Sequence, residues 1–326
     1  MSGLSIDWKL YPQLWKHFPL TYLPQCNYKG QLYDTSGNFI CSFKPIKNLG
    51  EGTFSLVDKF IRTDASGIQF PIALKRPKYP DVNLIYEAFF QWRLHSELEN
   101  YGLGYTVPKV YDIFLDKRTE KVWFTMDCFE PILLSNWCLR QLTIQEHKHY
   151  FILLMLQIAL VLDVYDTSLR IDHKDLKLDN ILIIENPITI EVIWKKEKKH
   201  FTFPFRVIFI DFGFACKEYI IDLKCEKFPS LDPCPKEGRN IFQVLVSLWN
   251  IQSLRKSLDT SWGQWIRERI TFVTPSYPTL NMSESVKNLD WMYIFTDDKE
   301  FRAPLCAPKR VINDCIKALE QHNDSF

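Results

Sequence analysis

The sequence of 326 residues is long enough for one large domain or two modest domains with a sizeable core. Its 46% hydrophobic and 24% charged residues are ordinary values for globular proteins, which excludes a wholly disordered chain. The formal net charge of +1 argues against a protein that coats nucleic acid, and no clear nucleic-acid partner is predicted.

Three features of the sequence predict a soluble intracellular protein, cytoplasmic or nuclear. Nine scattered cysteines without a CxxC pair indicate reduced thiols rather than a disulfide framework or a zinc site. The N-terminus has no basic head followed by an apolar run, so no secretory signal is predicted. The most apolar segment, residues 150–162, is too short to span a bilayer and contains Gln157, so we expect a buried helix and no membrane partner.

In chain order, the first half of the sequence is mostly strands. Residues 1–38 form an aromatic-rich N-terminal extension that ends in the turn signal DTSGN. Short apolar runs separated by turn signals predict five strands, at residues 39–49, 54–62, 69–76, 108–114 and 121–129. The spacing of apolar residues predicts a helix over residues 82–99.

From about residue 130 the pattern is mostly helical. Thr143, followed three residues later by Glu146, predicts a capped helix start ahead of the apolar segment. Two apolar runs flank the charged stretch WKKEKKH and predict an inserted β-hairpin at about residues 186–205, with a solvated basic tip.

Two short motifs in the first half suggest a phosphate site. Gly50 and Gly52 lie between two predicted strands, where backbone N–H groups can approach a phosphate closely. A later strand, IALK, ends in Lys75. Each feature is common by itself, as a hairpin turn with two glycines and as a solvated strand end.

The stretch HKDLKLDN, residues 173–180, concentrates polar groups between two apolar segments. Here Asp175 could accept a hydroxyl proton, Lys177 could neutralise a phosphate, and Asn180 could bind Mg²⁺ through its amide oxygen. Downstream, RVIFIDFGFA places Asp211 at the end of an apolar strand, a position suited to a metal that bridges phosphates. Each of these features also occurs by chance, and their presence together in this order along one chain argues against coincidence.

Together these motifs resemble the catalytic domain of eukaryotic-type Ser/Thr protein kinases, from about Leu49 to Ala215, in a divergent form loosely similar to kinases of large DNA viruses. The resemblance implies an α+β, bilobal protein-kinase-like fold over residues 39–326. A small β-rich N-lobe would occupy about 39–127 and a larger helical C-lobe about 130–326, with ATP in the cleft. It also implies ATP and Mg²⁺ (or Mn²⁺) as cofactors, a protein substrate, and a location in the host cell or virion if the source is viral.

The same resemblance implies a role for each site residue. The phosphate-covering loop would be Leu49, Gly50, Glu51, Gly52, Thr53, Phe54 and Ser55, with Ser55 in place of the third glycine. Adenine would contact Val57, Ala73, the gatekeeper Met126, the hinge residues Asp127 and Phe129, and Leu182. The catalytic residues would be Lys75, Glu87, Asp175 and Lys177, and the metal ligands Asn180 and Asp211.

Some positions depart from the family pattern. Glu97 is an alternative to Glu87 as the partner of Lys75, because choosing Glu87 puts Gln91 where the family has an apolar residue. Lys174 replaces the arginine of the catalytic loop, and lysine cannot bind a phosphate in bidentate fashion. Asn240 replaces an aspartate, and no APE-like motif follows the DFG sequence. The resemblance therefore leaves the recognition of the substrate open.

Two other functions fit parts of the pattern. A pseudokinase scaffold would lack at least one of Lys75, Asp175 and Asp211, and all three are present. A small-molecule kinase of related fold would also carry the H-x-D-x-x-x-x-N loop and lack APE. The DFG sequence, Lys177 and the glycine loop favour protein acceptors, so phosphorylation of Ser and Thr hydroxyls on proteins is the predicted function.

Overall fold

The computed structural model describes residues 20–142, 148–194, 197–217, 235–257, 260–271 and 301–323. The protein is of the α+β class, which confirms that part of the predicted fold. It divides into two compact units, Met1–Glu130 and Pro131–Phe326.

A closed barrel of seven strands forms the first unit, with neighbours in the order β1-β2-β3-β4-β5-β7-β6. The strands are β1 (Gln25–Cys26), β2 (Gln31–Tyr33), β3 (Phe39–Glu51), β4 (Ser55–Asp64), β5 (Gln69–Pro77), β6 (Val110–Asp116) and β7 (Lys121–Asp127). β1 runs parallel to β6 and closes the barrel, whereas the other neighbouring pairs are antiparallel. Both β1 and β2 lie within the predicted extension 1–38, where no strand was predicted. Strands of two and three residues are too short to show an alternating pattern in the sequence.

The interior of the barrel is apolar. Its core consists of Cys26, Leu32, Cys41, Phe43, Ile72, Leu74, Phe114 and Trp123. The rings of Phe43 and Phe114 stack with their centroids 5.4 Å apart. Since side chains alternate along a strand, the β5 residues Ala73 and Lys75 face away from this core.

Among the described residues of the first unit, one α-helix, α1 (Ile85–Glu99), accompanies the barrel. It begins three residues later than predicted, where the side chain of Asn83 accepts a hydrogen bond from the backbone N–H of Ile85 (3.0 Å). This contact satisfies one of the unpaired donors at the start of the helix. Most of the helix is buried, including two adjacent phenylalanines, Phe89 and Phe90.

Helices dominate the second unit. Within the described residues they are α2 (Leu134–Gln141), α3 (Lys148–Val164), α4 (Arg239–Asn250), α5 (Gln252–Ser257), α6 (Thr260–Thr271) and α7 (Pro308–Asn323). The strands are β8 (Ile132–Leu133), β9 (Ile171–Asp172), β10 (Ile181–Ile184), β11 (Ile188–Trp194), β12 (Glu197–Phe203), β13 (Arg206–Phe209) and β14 (Cys216–Lys217). They form a sheet of order β13-β10-β8 and two antiparallel pairs, β11 with β12 and β14 with β9. The predicted helix start at Thr143 and Glu146 lies outside the described residues.

Helix α3 is longer than its apolar stretch, because it continues into a π-helical turn at Tyr165–Leu169. By length and composition, the span His149–Leu169 is the one described helix that could cross a membrane, which corrects the prediction that this segment is too short. However, 67% of its most apolar window is buried within the protein.

Most of the described cysteines are free thiols, as predicted. They are Cys26, Cys41, Cys128, Cys138, Cys306 and Cys315. Cys216 is disulfide-bonded, so the prediction of a reduced thiol is wrong there. Cys225 and Cys234 lie outside the described residues.

Candidate functional site

In the first unit, four predicted nucleotide-binding residues share one face of adjacent strands. Val57 on β4 lies opposite Lys75 on β5, and Ala73 on β5 lies opposite Met126 on β7. Directly opposed residues of antiparallel strands project to the same side, and so do residues two apart on one strand. Val57, Ala73, Lys75 and Met126 therefore lie together on the side away from the barrel core.

The predicted lysine–glutamate pair joins β5 to α1. Lys75 Nζ lies 2.5 Å from Glu87 Oε1, and both residues are buried, with exposed fractions of 5% and 4%. The alternative partner, Glu97, instead accepts a hydrogen bond from Arg93 (3.2 Å). The structure thus brings Lys75 together with Glu87 and not with Glu97.

The predicted phosphate-covering loop is strand at both ends, because residues 49–51 belong to β3 and Ser55 begins β4, and the turn itself is residues 52–54. Its tip is exposed, whereas Ser55 is buried and its backbone carbonyl accepts a hydrogen bond from Gly52 N–H (2.8 Å). The carbonyl of Phe54 accepts a hydrogen bond from Lys78 N–H (2.9 Å), and the Lys78 ammonium forms an ion pair with Glu51. These contacts attach the loop to the end of β5. Leu49 and Thr53 are exposed as well.

The predicted hinge follows β7. The Asp127 carboxylate accepts a hydrogen bond from the Tyr111 hydroxyl (2.5 Å) and another from Lys109 N–H (2.9 Å). Both contacts fix the end of β7 against β6 and the segment before it. Tyr111 was not predicted from the sequence, because its role depends on a contact between two strands. Phe129, the other predicted hinge residue, is half-buried.

In the second unit, the residues of the loop 173–180 are hydrogen-bonded to one another. Asn180 Nδ2 donates to the backbone carbonyl of Asp175 (2.7 Å) and to its Oδ2 (2.9 Å). Lys177 Nζ lies 3.3 Å from the same Oδ2, and Lys177 N–H donates to the Asp175 carbonyl (3.0 Å). Asp175 and Asn180 are buried, whereas Lys177 is half-buried. The structure thus brings these three predicted residues together.

Helix α4 anchors this loop through two side chains. Asn240 Oδ1 accepts a hydrogen bond from His173 N–H (3.1 Å), so the asparagine at this position still supports the loop. Gln243 Oε1 accepts one from Leu176 N–H (2.9 Å), and its Nε2 donates to the Lys174 carbonyl (2.7 Å). Gln243 was not predicted from the sequence, because its role depends on contacts between distant segments.

Asp211 lies at the same edge of the sheet as Asn180. Ile181 and Phe209 are opposed in the antiparallel pair β10–β13, and Ile210 N–H donates to the Asn180 carbonyl (3.0 Å). The Asp211 backbone has φ 63°, a strained value for a residue other than glycine and one that is typical of functional sites. Leu182, the predicted adenine contact, is half-buried on β10.

His173 connects the loop to the same edge. Its Nε2 lies 2.9 Å from the Ile210 carbonyl and therefore carries the proton, and its ring packs on Phe212 with centroids 4.9 Å apart. Burial lowers the pKa of His173 from its ordinary value, so the imidazole is neutral and not a charged catalytic group.

A buried ion pair beside the loop was not predicted. Asp172 Oδ2 lies 3.2 Å from Arg239 Nε, and neither side chain is exposed. The Asp172 carboxylate also accepts hydrogen bonds from Lys174 N–H and Lys236 N–H, both 3.2 Å. Removing one partner of such a pair would leave an uncompensated buried charge, so the pair ties the loop to the start of α4.

Asp166, in the π-helical turn, is a titratable group near this pair. Burial raises the pKa of its carboxyl to about 8, with the negative charges of Asp172 and Asp163 acting in the same direction and Arg170 opposing them. The folded protein therefore holds a proton that the unfolded chain releases near the ordinary pKa of 3.8.

We expect the contribution of this group to make the free energy of unfolding fall as pH rises from the unfolded pKa of 3.8 to the folded pKa of about 8, by at most ~1.4 kcal/mol per pH unit, and then level off. Asp166→Asn should remove this contribution, which urea unfolding at a series of pH values measures. Asp81→Asn, at an exposed carboxylate, should keep the wild-type slope. An unchanged slope in Asp166→Asn would contradict the expectation.

Part of the second unit is similar to a known protein family. A family model described as poxvirus serine/threonine protein kinase matches residues 133–232, less than a third of the chain. The matched part includes the loop 173–180 and Asp211, and over this region the predicted resemblance to viral protein kinases is confirmed. No curated protein matches the chain.

Proposed function

We propose that this protein is a divergent serine/threonine protein kinase that transfers the γ-phosphoryl group of ATP to hydroxyl groups of protein substrates. The observation that carries the proposal is the loop 173–180, in which Asp175, Lys177 and Asn180 are held together. The match of residues 133–232 to poxvirus kinases supports it. The corresponding fold is the two-lobed protein-kinase fold, with the first unit as the β-rich lobe and the second as the helical lobe.

Asp175 is the proposed base of the transfer step. It would orient the substrate hydroxyl and accept its proton as the new oxygen–phosphorus bond forms, a contribution of roughly 10²- to 10⁴-fold in rate. Lys177, whose ammonium lies 3.3 Å from Asp175, would stabilise the negative charge on the transferring group. The hydrogen bonds from Asn180 and the anchoring by α4 hold this geometry before the substrate binds.

Residues of the first unit are proposed to hold the nucleotide. Lys75, fixed by Glu87, would bind the α- and β-phosphates. The exposed glycine turn between β3 and β4 would cover the phosphates, since Gly50 and Gly52 have no Cβ to prevent close approach of the backbone. Gly52 N–H itself is bonded to the Ser55 carbonyl and shapes the turn. The apolar face of Val57, Ala73 and Met126 suits a flat purine.

The chemistry of Asn180 and Asp211 fits Mg²⁺. Both described hydrogen bonds of the Asn180 side chain use Nδ2, so its amide oxygen is directed away from Asp175. Within the described ranges no three His, Cys, Asp or Glu side chains group as metal ligands, so a cation here would rely on Asp211, Asn180, phosphate oxygens and water. Mg²⁺ is commonly bound in this way and would neutralise charge on the β- and γ-phosphates.

The experiment that tests the proposal offers one purified protein several acceptors. Labelled Mg·ATP is incubated with mixed proteins and, separately, with aminoglycosides, choline and sugars. We expect label on Ser or Thr of proteins and none on the small molecules. Transfer to small molecules alone would contradict the proposal in favour of a small-molecule kinase, and stabilisation by nucleotide without any transfer would do so in favour of a pseudokinase scaffold.

A further inference from the structure

Helix α1 carries a stripe of three polar side chains among buried residues that are otherwise apolar. Glu87, Gln91 and His95 follow each other at intervals of four residues and so lie along one face of the helix. Their exposed fractions are 4%, 1% and 9%. Buried polar groups are costly unless they are hydrogen-bonded, so the partners of each indicate what the stripe does.

Gln91 makes two contacts across the first unit. Its Nε2 donates to the backbone carbonyl of Pro108 (2.8 Å) and to the Met126 sulfur (3.4 Å). One turn further along, His95 Nδ1 lies 2.9 Å from the Val107 carbonyl and donates to it. The helix is therefore attached to the segment before β6 at two successive backbone carbonyls, and to β7 through Met126.

Together with the pairing of β5 and β7, these contacts form a closed ring of neighbouring residues that includes Lys75. Met126 on β7 is paired with Ala73 on β5, two residues from Lys75. Lys75 contacts Glu87 on α1, and Gln91, one turn along α1, returns to Met126. A displacement of α1 that separated Glu87 from Lys75 would also break the hydrogen bonds of Gln91.

We propose that Gln91 is a positioning residue for phosphoryl transfer, which together with His95 fixes helix α1 so that Glu87 remains on Lys75. The inference rests on the proposed function. It gives a role to the residue at which this sequence departs from the family pattern, where an apolar side chain is expected. The lysine–glutamate pair is held by polar contacts within the first unit.

The variant Gln91→Met tests this inference, because methionine keeps the length and flexibility of the side chain and removes both donors. Loss of a buried hydrogen bond that leaves a carbonyl unsatisfied is expected to lower kcat/KM for ATP about tenfold. We expect most of that loss in KM for ATP, with KM for the protein acceptor unchanged. Leu98→Val, a loss of buried volume on the same helix, should stay within about twofold of wild type in kcat/KM.

A second measurement does not depend on phosphate transfer. Lys75 is 5% exposed, so its labelling by a small amine-reactive ester reports separation from Glu87. We expect labelling of Lys75, followed by mass spectrometry, to rise about tenfold in Gln91→Met and not in Leu98→Val. If wild type transfers no phosphate, the proposed function fails, and labelling alone decides the role of Gln91.

If Gln91→Met does not fold, Gln91→Glu serves in its place, because it keeps the shape and replaces the donor by an acceptor. Its kcat/KM relative to wild type should recover as pH is lowered, since a protonated carboxyl regains one donor. Labelling of Lys75 at the wild-type level in the folded variant would overturn the proposal. So would equal losses of kcat/KM in the Gln91 variant and Leu98→Val.

Discussion

Replacing Asp175 with asparagine should lower the turnover of phosphate transfer by roughly 10²- to 10⁴-fold, about 3 to 5 kcal/mol in activation free energy. Asparagine keeps the size of the side chain and can still accept the hydrogen bond from Asn180 Nδ2 (2.9 Å). It cannot accept a proton from the substrate hydroxyl. The measurement is the steady-state rate with saturating Mg·ATP and protein acceptor.

Asp179→Asn is the matched control, because Asp179 belongs to the same loop and is exposed, with its carboxylate bound to Ser135 Oγ (3.1 Å). Its turnover should remain within about threefold of wild type, since surface substitutions away from a reacting group have small effects. Equal losses in both variants would mean that the loop is generally disturbed and that Asp175 has no special role. Equal turnover in wild type and Asp175→Asn would exclude it as the base.

Gly238→Ala should cost about 3 to 5 kcal/mol of folding free energy. Gly238 precedes α4 with φ 73°, where an L side chain is strained, and an added Cβ would overlap the Ala303 carbonyl oxygen and lie 3.0 Å from Cys306 Cβ. The neighbouring backbone cannot move freely, because Ala303 N–H donates to the Glu237 carbonyl (3.0 Å). Urea or thermal unfolding measures the loss, and turnover should fall with the folded fraction.

Gly67→Ala separates the cost of the positive φ from the cost of the steric overlap. Gly67 has a similar positive φ, 86°, but no atom lies within 4 Å of an added Cβ. It should therefore show only the backbone cost, roughly 1 to 2 kcal/mol. If the two variants lost the same stability, the overlap at Ala303 would contribute nothing and the account of Gly238 would be wrong.

Local signals in the sequence predicted the long strands of the first unit and helix α1, because each has several residues with a clear period. The same reasoning missed β1 and β2, whose pairing with β6 and β3 is a tertiary contact of very short segments. It identified the residues of the loop 173–180 by their chemistry. It could not find Gln243 or Arg239, since they act only after α4 is placed beside that loop.

The partner of Lys75 shows the same limit. The sequence left two candidates on one helix, Glu87 and Glu97. Choosing Glu87 placed the polar Gln91 where the family has an apolar residue. The structure brings Glu87 to Lys75 and shows that Gln91 has buried hydrogen-bond acceptors of its own. A polar residue where the family has an apolar one therefore counts against an assignment only when no hydrogen-bond partner can reach it. Such partners cannot be identified from one sequence.

The proposed function requires that this chain itself catalyses metal-dependent phosphate transfer. Its most direct test is the transfer of labelled phosphate from Mg·ATP to a mixed protein substrate, with wild type and Asp211→Ala purified in parallel. We predict incorporation by wild type, on Ser or Thr, and at least a hundredfold less by Asp211→Ala, because the proposed metal ligand is lost. No transfer by wild type, or equal transfer by both proteins, would contradict the claim.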